Sequence, residues 1–198
     1  MNKKRILPVC ILLLSTFFSF AQQGETVVET HNCASLQIRT NLLYWAVATP
    51  NLGVEWKPSG NLGILVNGAF SHWIWSGEGK HHRTWLVQPE VRYYFPKHSI
   101  SQRYGMFYAG IEGHAAEFNF KFGDTGYQGD AVGGGITGGY KLRISKVFDL
   151  DFSLGLGYTQ LKYDTYYRSR DVMVLKEGGL KKNVFAPTQA GVSLIFKL

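Results

Sequence analysis

The sequence is poor in the residues that cross-link or cleanly break a chain: two cysteines and six prolines in 198 residues. Two thiols cannot build a disulfide framework, and Cys10 falls inside an N-terminal apolar stretch, which leaves only Cys33 in a processed chain. We read Cys33 as an unused free thiol rather than a nucleophile. Charged residues make up only 18% of the chain. After residue 21 no apolar run approaches the ~18 residues that a membrane-spanning helix needs, so helical spans are excluded beyond the N-terminus. No helical apolar period is sustained over a comparable length either, which leaves strands as the only regular element the pattern supports.

The N-terminus has the three parts of a secretory signal: a basic start (Lys3, Lys4, Arg5), an apolar run over 6–20 interrupted by three hydroxyl residues (Ser15, Thr16, Ser19), and the small-x-small site Ser19-Phe20-Ala21. The expected organisation is a signal peptide at 1–21, a flexible polar lead-in at 22–35 and one β-barrel domain at 36–198. Removing the three n-region bases takes the net charge from +7 to about +4, too mild a balance to indicate a nucleic-acid partner.

What the chain does have is alternation. Residues 148–158 read FDLDFSLGLGY: even positions large and apolar, odd ones charged or tiny. Such a period of two describes a strand with two unlike faces. Eight runs share it, at 36–47, 51–57, 62–75, 84–95, 106–120, 131–144, 147–161 and 184–198, separated by glycine, proline and charged clusters. With both ends on the periplasmic side, the turns at PSGN and SKV are short and inner, while 76–83, 121–130 and 162–183 become longer outer loops. The connection at 96–105 is long for an inner turn.

The two faces differ consistently. One carries Arg39, Glu55, Glu90, Arg92, Glu112, Lys141, Arg143, Asp149 and Asp151, interleaved with many of the chain's 23 glycines. The other carries Leu42, Leu52, Val66, Val87, Ile111, Ile136, Leu150 and Leu154, with Tyr44, Trp56, Trp85, Tyr93, Phe95, Tyr140 and Tyr158 nearer strand ends, where aromatic girdles belong. Glycine is favoured on a crowded face, and the interior of an eight-stranded barrel has room only for side chains. The pattern therefore predicts an eight-stranded antiparallel up-and-down transmembrane β-barrel with a filled polar lumen, plugged rather than porous. A three-residue SKV turn places Arg143 opposite Asp149 and Lys141 opposite Asp151, pairing charges within that lumen. Pro89, inside a strand, predicts a local bulge. The soluble alternative is an exported lipocalin-like barrel with an apolar ligand cavity.

The last residues, QAGVSLIFKL, place Gln189, Gly191, Leu194 and Phe196 at alternating spacing, a pattern resembling the C-terminal signal read by the outer-membrane barrel-insertion machinery. It departs from that pattern in ending two residues later, at Leu198. The blocks TNLLYWAVATPNLGVEW (40–56) and WLVQPEVRYYF (85–95) resemble a family of uncharacterised outer-membrane β-barrels, a domain of unknown function, from Gram-negative gut and oral bacteria. Its members carry TNLLY, PNLGVE and QPE-RYW-like blocks and are often encoded near fimbrial genes. The resemblance implies a fold, a compartment and a link to surface appendages, but no biochemical activity. This chain departs from it at Trp45, where the family has an acidic residue.

Other motifs are weaker. GGGITG at 133–138 fits G-x-G-x-x-G, but no helix follows it, so strand glycines are the better reading than a dinucleotide cradle. His81 and His82 beside Lys80 and Arg83 read as a solvated basic loop, not a metal site. Arg168, Arg170, Lys176, Lys181 and Lys182 read as an outer loop, either an ordinary soluble one or one that contacts lipopolysaccharide phosphates. Ser71, His72 and Ser76 near the outer rim raise a lipid A-modifying enzyme as an alternative, but adjacent strand residues point to opposite faces and cannot readily form a dyad. The expected protein is non-enzymatic and without cofactors, with a structural or assembly role in the envelope. Its expected partners are outer-membrane lipids, lipopolysaccharide, the insertion machinery and candidate fimbrial or other surface proteins.

Overall fold

The computed structural model describes residues 35–75, 80–95, 105–122, 125–169 and 172–198. The expected signal peptide and almost all of the lead-in lie outside these residues, as does most of the connection at 96–105.

Eight strands close into a ring in which each pairs antiparallel with the next and β8 returns to β1. In chain order they are β1 (Ser35–Asn41), β2 (Asn51–Lys57), β3 (Leu62–Trp75), β4 (Lys80–Tyr94), β5 (Gly105–Phe122), β6 (Thr125–Arg143), β7 (Phe148–Ser169) and β8 (Val172–Lys197). The short helix α1 (Leu42–Ala46) joins β1 to β2. The barrel is lopsided: β1 and β2 have 7 residues each, whereas β7 has 22 and β8 has 26.

Two expected features are corrected at the first strand and at Pro89. The run 36–47 does not continue as a strand, because LLYWAV is apolar at every position and offers no alternation to hold a sheet. Asn41 ends β1 by accepting a hydrogen bond from the Leu43 N–H at 3.0 Å through its side chain, which caps α1. Leu42 is therefore helical, although still exposed, and Tyr44 leaves the girdle. Pro89 makes no bulge: the β4–β5 register is the same on both sides of it, Val87↔Ala115 and Glu90↔Glu112. The proline stays paired with Val66 of β3, and the ladder omits only the neighbouring positions on the β5 side. The bulges lie in β8 instead, where the register shifts between Gly155 and Leu156 and again around Thr165. Gly179, in the second of these, adopts a left-handed φ of 71° that suits glycine.

The expected outer loops are also corrected. Residues 125–130, 162–169 and 172–183 are strand, so β5 to β8 run on past the predicted loops. Charged residues there resembled loop punctuation, but alternation persists through them with its faces exchanged.

The centre of the barrel is polar. Among the largest fully buried side chains are Arg92, Glu55, Glu90, Asp151 and Tyr94. Space for them comes from glycine. A side-chain carbon on Gly53 would strike the Arg39 side chain and Asn67, and one on Gly135 would strike the facing Gly157 backbone.

Candidate functional site

The lumen side chains form a connected column. At its inner end Glu55 accepts from the Tyr94 hydroxyl, with Lys141 Nζ at 3.5 Å and Arg39 Nη1 at 4.0 Å. Lys141 also donates to Gln37. Lys57 sits 4.2 Å over the Tyr94 ring. In the middle, Asp151 accepts from Arg39, from Arg92 Nη1 at 3.1 Å and from the Tyr108 hydroxyl at 3.2 Å. Arg92 donates through Nη2 to Glu90 at 2.8 Å, its Nε lies 2.8 Å from the other Glu90 oxygen as an ion pair, and its guanidinium lies 4.3 Å over the Tyr108 ring. Thr137 completes Glu90 from β6 at 2.5 Å. Further out the network turns mostly neutral: Gln88 donates to Glu112 and Gln189 at 3.3 and 3.2 Å, and His114 spans Glu112 at 3.1 Å and Thr159 at 2.8 Å. Tyr44 of α1 turns inward and lines a small cavity with Arg39, Asn67, Gln88 and Gln189.

These contacts come from β1, β2, β4, β5, β6, β7 and β8, so they tie distant walls together across the axis. Burying an ion without partners costs several kcal/mol, which this reciprocal arrangement offsets. Registers around the SKV turn place Lys141 opposite Asp151 and Arg143 opposite Asp149, as the turn length predicts. Close ion pairs also join Asp151 to Arg39 and Arg92, Lys141 to Glu55, and Asp149 to Lys197 at 2.8 Å.

Above this column the two faces exchange character, a feature the sequence reading missed. Up to Tyr158 the outward positions of β7 are Phe152, Leu154 and Leu156, all exposed. Beyond it they are Gln160, Lys162 and Asp164, while the inward ones become Leu161 and Tyr163. The neighbouring strands agree. Outward Glu117 and Asp130 face each other in register, and inward Phe120 and Tyr127 stack at 5.4 Å. Phe118 lies 5.6 Å from Phe120, and Tyr163 lies 6.3 Å from Tyr127. The signal was present in FNFKF and LKYDTY, whose alternation continues out of phase with the strand below. This part forms an aromatic-lined cup.

The remaining predicted residues are distributed as follows. Gln189 and Gly191 are buried, while Leu194 faces outward opposite Leu150 and exposed Phe196 packs on Phe148 at 5.5 Å. Lys176, Lys181 and Lys182 are exposed on β8 rather than in a loop; Arg168 belongs to β7, and Arg170 lies outside the described residues. Ser71 is buried inward and His72 exposed outward, so the two do not meet. The GGGITG stretch is strand β6, with no helix after it. Ser76 lies outside the described residues. Among the described residues no group of three His, Cys, Asp or Glu side chains is arranged for a metal.

The family model described as "Protein of unknown function (DUF3575)" matches residues 9–198, nearly the whole chain. The chain belongs to that family. No curated protein matches this DUF3575 member. Among solved structures, the crystal structure of Neisserial surface protein A is similar to it over 83% of this chain and 93% of that one, at 12% identity and a TM-score of 0.42.

Proposed function

We propose that this DUF3575 protein is a non-enzymatic β-barrel of the bacterial outer membrane with a structural or assembly role in the envelope. The reading is carried by the outward apolar belt. It runs from Trp85 to Tyr93 on β4, Phe107 to Ala115 on β5, Val132 to Tyr140 on β6 and Leu150 to Tyr158 on β7. Each stretch is about nine residues, the length at which a tilted strand crosses a bilayer. Ile136, at mid-belt, is 68% exposed. A water-facing surface would not favour such a band, and hydrocarbon requires it.

The ionic column makes the barrel a strut rather than a conduit, and its cross-lumen pairs stiffen a wall that carries long outer strands. Insertion proceeds through the C-terminal pattern of Gln189, Gly191, Leu194 and Phe196. Those outer strands are the parts placed to meet surface structures, fimbriae among them. A hydrolase acting on lipid A lacks support, since Ser71 and His72 lie on opposite faces of β3.

Membrane fractionation with heat-modifiable gel migration tests the compartment: the protein partitions with outer membranes and its unboiled form migrates faster. Recovery as a soluble protein that needs no detergent contradicts the reading. Reconstituted barrels show no steady conductance. A deletion strain tests the surface role, with altered fimbriation as the expected result and unchanged lipid A mass spectra.

A further inference from the structure

The inner mouth of the barrel carries more positive charge than its own carboxylates neutralise. A cavity of about 40 Å³ opens there, lined by Lys57, Lys141, Arg143, Lys197, Gln37 and Asp149 from the inner ends of β1, β2, β6, β7 and β8. Lys57 and Lys141 are buried, at 9% and 4% exposure, and their ammonium groups lie 4.2 and 5.3 Å from the centre of the same ring, that of Tyr94. The carboxylates within reach are already engaged. Glu55, behind the cavity, serves Lys141 at 3.5 Å and Arg39 at 4.0 Å, and Asp149, the acid in the lining, meets Lys197 at 2.8 Å. Among the described residues, the lumen from the level of Asp151 to the mouth holds six cations, these four bases with Arg39 and Arg92, against four carboxylates, Glu55, Glu90, Asp149 and Asp151. On the rim outside, exposed Lys146 is matched by the α-carboxylate of Leu198. The excess is two positive charges.

Buried charge of one sign costs free energy until a counter-ion meets it, so the mouth is built to recruit an anion. The cavity sets its size: about 40 Å³ admits roughly three waters or the oxygens of one compact oxyanion, and no sugar or nucleobase. The excess sets its charge, because a phosphate group at pH 7 carries about −1.5 to −2, whereas a single carboxylate carries one negative charge. The donors set its geometry. Arg143 offers a planar fork that suits phosphate, and the lysines offer ammonium groups. Gln37, whose carbonyl oxygen accepts from Lys141, keeps its amide nitrogen as a donor. We infer that the inner mouth binds a phosphate group, free or carried on a larger molecule outside the barrel, between Lys57, Lys141 and Arg143. That this mouth faces the periplasm rests on the membrane reading above; the cavity and its charge do not.

The test titrates inorganic phosphate, and separately glycerol 3-phosphate, into the full processed chain in detergent, with calorimetry reading stoichiometry and Kd. Wild type binds one equivalent of phosphate. Glycerol 3-phosphate that binds at least as tightly assigns a carried phosphate group, and binding of inorganic phosphate alone assigns the free ion; either result supports the site. Arg143→Gln, and independently Lys57→Gln, each weaken binding by about tenfold, the loss of one charge-assisted hydrogen bond. Asp149→Asn, which removes the repelling carboxylate from the lining, tightens it several-fold. Lys181→Gln makes the same charge change at the far end of the barrel and, at about 0.1 M salt, leaves Kd within about twofold, because the distance exceeds the screening length. Heat-modifiable migration of every variant shows that the barrel is intact. Absence of binding by intact wild type, unchanged affinity in both mouth variants, or an equal loss in Lys181→Gln overturns the proposal. So does phosphate that binds only after Glu25→Gln with Glu29→Gln, because the chain's own polar lead-in is then the occupant. A chain that stays in solution without detergent overturns the membrane reading instead, whether or not phosphate binds.

Discussion

The lower and upper parts of β7 are one continuous strand with the same backbone and the same alternation, yet they solve opposite problems. From Phe148 to Tyr158 the strand hides Asp149 and Asp151 and exposes Phe152, Leu154 and Leu156; from Thr159 to Tyr167 it turns Leu161 and Tyr163 inward and Lys162 outward. A strand's two faces are fixed by geometry, so polarity can be exchanged only by changing the residues, one register step at a time. On the proposed membrane reading, the place where the exchange happens marks where the surroundings change, from hydrocarbon to water. The comparison teaches that the barrel is two structures sharing a wall: a lower part organised by buried charge and an upper part organised by aromatic rings.

The largest effect should come from the lower part. Asp151→Ala leaves Arg39 and Arg92 buried without their shared carboxylate, and removal of one partner from such a cluster costs about 3–5 kcal/mol; urea unfolding of the detergent-solubilised barrel measures it. Outward substitutions then set the two parts against each other directly. Leu154→Lys should cost about 2–4 kcal/mol, as a charge at mid-bilayer does. Gln160→Lys, on the same face six residues further along, should stay within about 0.5 kcal/mol. Equal costs at the two sites would abolish the distinction. Glycine supplies a third test: Gly157→Val, facing Gly135 in the crowded wall, should destabilise by about 1–3 kcal/mol through overpacking. The smallest effect belongs to the upper part, where Lys181→Glu replaces a like-charge pair with Lys162 by an opposite one and should stabilise by roughly 0.2–1 kcal/mol in low salt.

Much of the lower part was legible in the sequence, because one rule, alternation of FDLDFSLGLGY type, governs it. The strands from Asn51 to Lys57 and from Leu62 to Trp75 begin and end where the pattern does, and the hairpin register around SKV follows from turn length alone. The rest was hidden for identifiable reasons. In LLYWAV every residue is apolar, so periodicity is silent, and it is the Asn41 cap that selects α1. In YDTYYRSRDVMVLKEGGLKK the charges imitate a loop, yet a strand beyond the membrane has an outer face that meets water and must carry such residues. The partners of Asp151 were not readable because cross-lumen contacts depend on how the ring closes, which no local stretch encodes. Pro89 shows the converse: a residue that usually signals a bulge is absorbed by omitting ladder pairs on one side.

The central claim is that the outward face of β7 passes from lipid to water between Tyr158 and Gln160. The direct measurement is a nitroxide scan of outward positions 152, 154, 156, 158, 160, 162 and 164, one label at a time in a Cys33→Ser background, reconstituted in bilayers, with relaxation by oxygen compared against relaxation by a water-soluble nickel chelate. Oxygen should dominate through 158 and the nickel chelate from 160 onward, with a single crossing. Oxygen dominance continuing to 164, or nickel access already at 154, would contradict it.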